Sequence, residues 1–570
     1  MIYRTVCGFS QVTAFAGIAE ALASRALVTD NSKTRIKEEG LQMKTRIHLT
    51  VTLIVFWLAA VDIGFAQQGD QVGKVQFANS CSPAVQEKLL RGVAMLHSFY
   101  YSATQKAFND VAAEDPSCAI AAWGYASILM ANPLQGVGAI PDGAKQAQDA
   151  IEKGREMGAK TQRERDYLEA VGAYYKDFAN HSERERQVAR AKAYEALAAQ
   201  YPDDDEAQIF YALYLASTQL PSDQSYSAYR KAAGILEKEF VKYPGHPGIA
   251  HYLIHSYDAQ PLAEQGIAAA RRYAQIAPDA PHALHMPSHI FTRVGGWADS
   301  VAINRRSATV AEKNNEPGEA LHALDYMTYA YLQLARDRDA RKTLDEAGTL
   351  TGIKPGTAIA PYALAAMPAR YALERGAWGE AMGLVPIASN YSFIEAMTHF
   401  ARALGAARSG NPTAAQVDTE KIAALRDELK AAKNDYWATE VEVMRLASVG
   451  WVSLAQKNNN EALETMRQAA EIEDKNEKNI VTPGRLLPAR ELLGDMLMAL
   501  KRPAEALREY EASQQREPNR YRGMYGAGQA AAQSGDTDKA RQYFSKLIEL
   551  AGSGDPRPET AKARQFLAGN

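Results

Sequence analysis

Seven of the eleven histidines in this 570-residue chain fall between Gly245 and Tyr329. They run as His246, then His251-Tyr-Leu-Ile-His255, then His282-Ala-Leu-His285-Met-Pro-Ser-His289, then His322-Ala-Leu-Asp325. Residues three and four apart share one face of a helix. His251 and His255 therefore form one stripe, His282, His285 and His289 a second, and His322, Asp325 and Tyr329 a third. A histidine pair at i, i+4 is a common way for one helix to grip a metal ion, and neighbouring helices can complete the shell. Imidazole without thiolate suits one transition metal ion of the zinc, copper(II), nickel or iron group, and carboxylates can ligate it or orient a histidine through its second nitrogen. His251, His255, His285 and His289 are the first choice of ligands, with His282, His322 and Asp325 as competitors. Asp258, one turn beyond His255, lies near the same face.

Other chemistry is less well supported. His251-Tyr-Leu-Ile-His255 has the histidine spacing of a zinc hydrolase helix but lacks the glutamate that would serve as general base. No phosphate-cradling glycine loop, nucleophile elbow or Cys-x-x-Cys occurs. A polar, aromatic-edged groove that binds peptide without metal, and a pH-responsive histidine cluster, remain alternative readings of the same residues. His181 and His399 stand alone and read as packed or solvated side chains.

The elements that must position these stripes are helical. Alanine and tyrosine are abundant and β-branched runs are rare beyond the N-terminus, which favours helix over sheet. Near the C-terminus, Gly494, Ala506 and Tyr510 recur as Gly528, Ala540 and Phe544, each after 34 residues, with Pro518 closing the repeat. This pattern resembles the tetratricopeptide repeat, in which a small residue on the first helix of a pair meets an aromatic on the second. The same marks recur with drift around Gly92 and Phe108, Trp123 and Gly124, Tyr194, Tyr201-Pro202 and Tyr243-Pro244. The expected fold is all-α, a right-handed superhelical solenoid of about twelve helix-turn-helix repeats over residues 82–570. The segments Cys81 to Trp123, His251 to Arg293 and Pro488 to Tyr525 further resemble exported bacterial tetratricopeptide-repeat proteins of poorly defined function.

Pro244 and Pro278 set the register of the histidine stretch. His251 and His255 occupy the fifth and ninth places of one first helix, and His282, His285 and His289 the second, fifth and ninth of the next. His322, Asp325 and Tyr329 take the same three places on the one after. The family resemblance implies that these places face a concave groove, which would receive a peptide or partner protein. His97 and Trp123 are further groove candidates in the first two repeats. The polar runs Asn458 to Asn460 and Lys475 to Asn479 read as turns without a role of their own.

Met43 with Lys44 and Arg46, the apolar run Leu49 to Ala60 and Gly64-Phe65-Ala66 have the design of a signal peptide over residues 43–66. Residues 1–42 then read as an upstream extension and 67–81 as an N-terminal segment. The apolar run is shorter than the roughly 20 residues of a spanning helix, so no membrane span is expected after cleavage, and the protein is expected in the periplasm or secreted. Export permits a disulfide between Cys81 and Cys118, which open equivalent helices one repeat apart. The net charge of -3 and the lack of a basic stripe exclude an electrostatic footprint for nucleic acid. The sequence thus points to an exported scaffold with a metal site in its middle repeats and no enzymatic signature. A metalloenzyme or metal-handling protein using the same histidines is the alternative.

Overall fold

A computed structural model describes residues 71–353 and 358–569. The upstream extension, the signal-like segment and residues 67–70 lie outside the described residues. Among the described residues there is no strand, and 25 helices, with the run from Pro281 to Arg293 counted as one, pack as twelve consecutive pairs and a last single helix, Pro558–Gly569. None of these helices is long and apolar enough to cross a membrane.

The 34-residue pattern works as a packing rule. Tyr510, on the helix Pro503–Arg516, lies under two glycines of the flanking first helices, Gly494 and Gly526. A Cβ on Gly526 would come within 2.4 Å of the Tyr510 ring, and one on Gly528 within 2.5 Å of Phe544. Ala506 and Ala540 are fully buried where their pairs cross. Overpacking of this kind costs about 1–3 kcal/mol. Gly526→Ala is therefore expected to lower the urea midpoint of unfolding, and an unchanged midpoint would refute this account of the repeat.

The N-terminal segment is tied down twice. Cys81 and Cys118 are joined by a disulfide across 37 residues. Residues 71–81 run extended across several pairs, so that the Gln71 amide donates to Asp279 at 2.6 Å and Phe77 stacks on Trp123 at 4.8 Å.

Two features depart from a simple stack of nearest neighbours. First, residues 475–488, between the helices Asn459–Asp474 and Ala489–Ala499, are more than a polar turn. This strap reaches back to the middle repeats: Glu477 accepts hydrogen bonds from Arg293 at 3.0 Å and Tyr226 at 2.7 Å. The Tyr326 hydroxyl lies 3.1 and 3.2 Å from the Ile480 and Thr482 carbonyls, and Arg370 donates to Thr482 Oγ1 at 2.6 Å. Second, the C-terminal repeats close onto the middle of the chain. Trp297 donates to the Asn519 carbonyl at 2.7 Å, and the Tyr521 amide donates to Gln333 at 3.0 Å. The expected open groove is thus covered by the chain itself at the helices that carry the histidines.

Candidate metal centre

Three successive first helices supply the histidines. Pro247–Ser256 carries His251 and His255, and Pro317–Gln333 carries His322. Between them, Pro281–His285 and Pro287–Arg293 form one kinked run that carries His282, His285 and His289. Proline at the first or second position starts each of these helices, where its missing N–H costs nothing. Pro287 cannot donate to residue 283, which places the kink between His285 and His289.

The expected quartet of His251, His255, His285 and His289 does not converge on one point. The structure sorts six histidines into two triads instead, His251 with His255 and His282, and His285 with His289 and His322. Within each triad the candidate ligand atoms lie within 4.8 Å of one another. Adjacent helices are staggered, so the fifth place on one meets the second place on the next. His251 faces His282 at a ring distance of 5.1 Å, and His285 faces His322 at 4.2 Å. Three residues are close to one helical turn, so equal places on successive helices are offset by about that much.

All six rings are buried, with exposures from 0% for His251 to 7% for His282. Burial holds His251, His255, His285 and His322 well below the ordinary histidine pKa, and the neighbouring imidazoles add to the effect. His289 is lowered less, because the Asp258 carboxylate opposes the effect of burial. The lowered values leave His251, His255, His285, His289 and His322 neutral, each with one N–H and one lone pair, and where a ring nitrogen has a hydrogen-bond partner, that partner fixes which nitrogen carries which.

The Asn304 amide gives its nitrogen to the Ser300 carbonyl at 2.8 Å, which leaves its oxygen to accept from His285 Nδ1 at 2.7 Å. The Asp258 carboxylate accepts from His289 Nδ1 at 2.8 Å. Both Nε2 atoms are therefore lone-pair atoms, and they face each other at 3.1 Å. Two lone pairs at that distance in a dry interior repel. A metal ion bonded to both at the usual distance of about 2.0–2.1 Å would hold them about 2.8–3.4 Å apart for bond angles between octahedral and tetrahedral.

The other triad repeats the theme. His251 Nδ1 donates to the His97 carbonyl at 2.6 Å, which turns Nε2 inward. That Nε2, both ring nitrogens of His255 and Nε2 of His282 are buried without a hydrogen-bond partner among the described residues. His282 Nδ1 lies 3.5 Å from the Glu319 carboxylate. An imidazole whose second nitrogen donates to a carboxylate or carbonyl is the usual arrangement of a metal-binding histidine.

Asp258 holds the centre from behind. It is fully buried, and although burial alone would raise its pKa, the charges of Lys478 and Arg293 and the His289 hydrogen bond keep it well below the usual carboxylate range. Arg293 Nε donates to it at 2.8 Å, and Lys478, from the strap, lies 3.7 Å away. Burial lowers the Lys478 amine to about 8. Tyr326 packs against His285, His289 and His322, with ring distances of 4.5, 5.3 and 5.3 Å.

A third cluster of histidines shows what a satisfied core looks like. Glu206 accepts from His97 Nε2 at 2.9 Å and from His246 Nε2 at 3.0 Å. His97 Nδ1 pairs with the Tyr252 hydroxyl at 2.9 Å, and His246 Nδ1 accepts from the Gly248 amide at 3.1 Å, capping its helix. Burial alone would raise the Glu206 carboxyl, but the two histidines bring it to about 2. Every ring nitrogen of this pair has a partner, so His97 is core rather than groove.

The remaining candidates also belong to the interior. Trp123 donates to the Tyr194 hydroxyl at 2.8 Å and is fully buried. Asp325 pairs with Arg370 at 3.1 Å, and Tyr329 accepts from Arg520 at 2.5 Å, neither on a groove surface. His399 bonds to Asp418 at 2.7 Å, and His181 is on the surface beside Glu185. Sequence reading missed Asn304, Tyr326, Arg293, Lys478 and Glu319. Tyr326 was within reach, four residues after His322 on the same stripe. Asn304 belongs to the second helix of its pair, Trp297–Lys313, where no histidine spacing points to it.

Fold and site together define an all-α helical-repeat protein with a buried six-histidine cluster. Residues 521–553 match the family model of the tetratricopeptide repeat, so the chain is a helical-repeat protein that carries a repeat of that family. Among solved structures it is similar to the Cut9–Hcn1 hetero-tetramer of the APC/C, at 10% identity over 85% of this chain and 97% of that one, with a TM-score of 0.29. It is also similar to a monomeric mutant of IFIT1 with Gppp-AAAA, at 12% identity over 76% and 90% of the two chains, with a TM-score of 0.32. Scores this low say nothing about this chain's ligand. No curated protein matches the sequence.

Proposed function

We propose that this chain is a metal-binding helical-repeat protein that holds a transition metal ion on His285, His289 and His322. The observation that carries the reading is the pair of inward lone pairs, His285 Nε2 and His289 Nε2, at 3.1 Å. Asn304 and Asp258 fix both tautomers, and a cation is what such a pair accommodates. The all-nitrogen donor set selects among zinc, copper, nickel and iron rather than magnesium or calcium.

The fold supports a protein-interaction role, since stacks of helix pairs present extended surfaces. Because the chain fills its own interior at the middle repeats, a partner would meet its outer faces. The signal-like segment before residue 67 and the Cys81–Cys118 disulfide both suit an oxidising compartment, and we read the protein as exported.

Elemental analysis of protein purified without a histidine tag tests the metal. The expected result is at least one equivalent of a first-row transition metal per chain, with loss of one equivalent in the His285→Ala, His289→Ala double variant. Protein that carries no such metal, and takes up none from zinc, copper, nickel or iron salts, would sink the reading.

A further inference from the structure

The second triad has its own donors and shares none with the first. His251, His255 and His282 contribute four buried ring nitrogens without a hydrogen-bond partner among the described residues, and the ligand atoms of the three residues lie within 4.8 Å of one another. In the satisfied Glu206 cluster every ring nitrogen of its two histidines is paired. A polar group buried without a partner is destabilising, so three adjacent imidazoles in this state point to a ligand that bonds to nitrogen.

The two triads touch. The rings of His255 and His289 are 5.8 Å apart, and those of His282 and His285 are 6.2 Å apart. His255 stands at this junction with both nitrogens unpartnered. Three protein ligands leave a metal ion with an open position, so two adjacent ions can share a further ligand.

Charge then selects that ligand. The carboxylate nearest the junction, Asp258, is already matched by Arg293 and Lys478. Glu319, 3.5 Å from His282 Nδ1, is one further carboxylate beside the second triad. Two dications held by neutral imidazoles would leave buried positive charge uncompensated, and buried charge must be paired.

Resting on the reading above for His285, His289 and His322, we infer that the chain binds two transition metal ions side by side, one on each triad. They form a dinuclear centre closed by a small bridging oxygen-donor anion, hydroxide in its resting form. Two-metal centres of this kind hold their ions about 3.5–4 Å apart and clamp one ligand between them.

Copper(II) is a suitable probe, because two copper ions that share a bridging hydroxide couple their spins. Metal-free, tag-free protein is titrated with copper(II), and bound metal and the paramagnetic resonance signal are measured together. The expected result is two copper ions per chain, with a signal well below twice that of a one-copper site. His251→Asn with His282→Asn, and His285→Asn with His289→Asn, should each retain one copper and regain its signal. One copper per chain, lost only when His285 and His289 are replaced, overturns the dinuclear centre and leaves the single-site reading standing. No copper overturns both. Two coppers with undiminished signal overturn the shared ligand. The wild-type measurements decide between these outcomes even where a variant does not fold.

Discussion

Acidification of the metal-free protein is expected to unfold it steeply, beginning below about pH 6.5. His97, His251, His255, His285, His289 and His322 all have pKa values lowered in the folded state, burial being the first cause in each case. A base whose folded pKa is depressed binds its proton more readily when unfolded. Its stabilising contribution is complete above the unfolded value and is lost as the pH falls toward the folded one. Each such histidine removes about 1.4 kcal/mol of stability per pH unit in that window. The four most strongly shifted, His251, His255, His285 and His322, together remove on the order of 5 kcal/mol per unit. Against a net stability of about 5–15 kcal/mol, the midpoint should fall about one to three units below the onset. Metal competes with protons for the same nitrogens, so loading should move the midpoint to lower pH. Far-UV circular dichroism against pH, with and without metal, measures both. Unfolding that shows no dependence on pH between about 7 and 5 would refute the neutral, buried state of these rings.

The repeat register carried much of this centre in the sequence. Gly494, Tyr510, Gly528 and Phe544 set a period that placed six histidines on three consecutive first helices, and the helices fall there. The grouping within those helices could not be read, because it depends on the stagger between neighbours. A period describes one repeat, whereas the offset that pairs His251 with His282 and His285 with His322 arises from how repeats lean on each other. The same limit explains Tyr329. Its place in the register matched His289, yet its hydroxyl meets Arg520, while Tyr326 meets the histidines.

The strap was illegible for another reason. Lys475 to Asn479 has the composition of a solvated turn, and composition does not say whether polar groups find water or protein. Here Glu477 and Lys478 find Arg293, Tyr226 and Asp258 in the interior. Buried polar groups need partners, and the partners lie far away in sequence. His97 and Trp123 follow the same logic, since Glu206 and Tyr194 satisfy them inside the stack. The strap also gives the middle repeats a cover that nearest-neighbour stacking does not provide. The neutral imidazoles behind it are therefore kept dry by a segment more than 150 residues away, as the Tyr326 to Ile480 hydrogen bond shows with its separation of 154.

Replacing Arg520 is expected to be the most damaging single change outside the histidine cluster. Its guanidinium is fully buried at the start of the helix Tyr521–Ser534. It donates to Glu491 at 2.7 Å, Glu374 at 2.8 Å and the Tyr329 hydroxyl at 2.5 Å. Burial alone would lower its pKa, but the two glutamates hold it well above the ordinary arginine value. Arg520→Met would leave both carboxylates buried and unpaired, and breaking a buried ion network in this way costs about 3–5 kcal/mol. Differential scanning calorimetry should show a melting transition several degrees lower, with part of the loss recovered when Glu374→Gln and Glu491→Gln are added. A shift of less than about one degree would show that the network is not needed. Arg520 bonds to Tyr329 on the helix that carries His322, so the effect should extend to the metal. Metal should dissociate faster from Arg520→Met than from Gly526→Ala, whose added methyl meets Tyr510 rather than Tyr329. Equal dissociation rates in two folded variants would separate the C-terminal closure from the stability of the histidine centre.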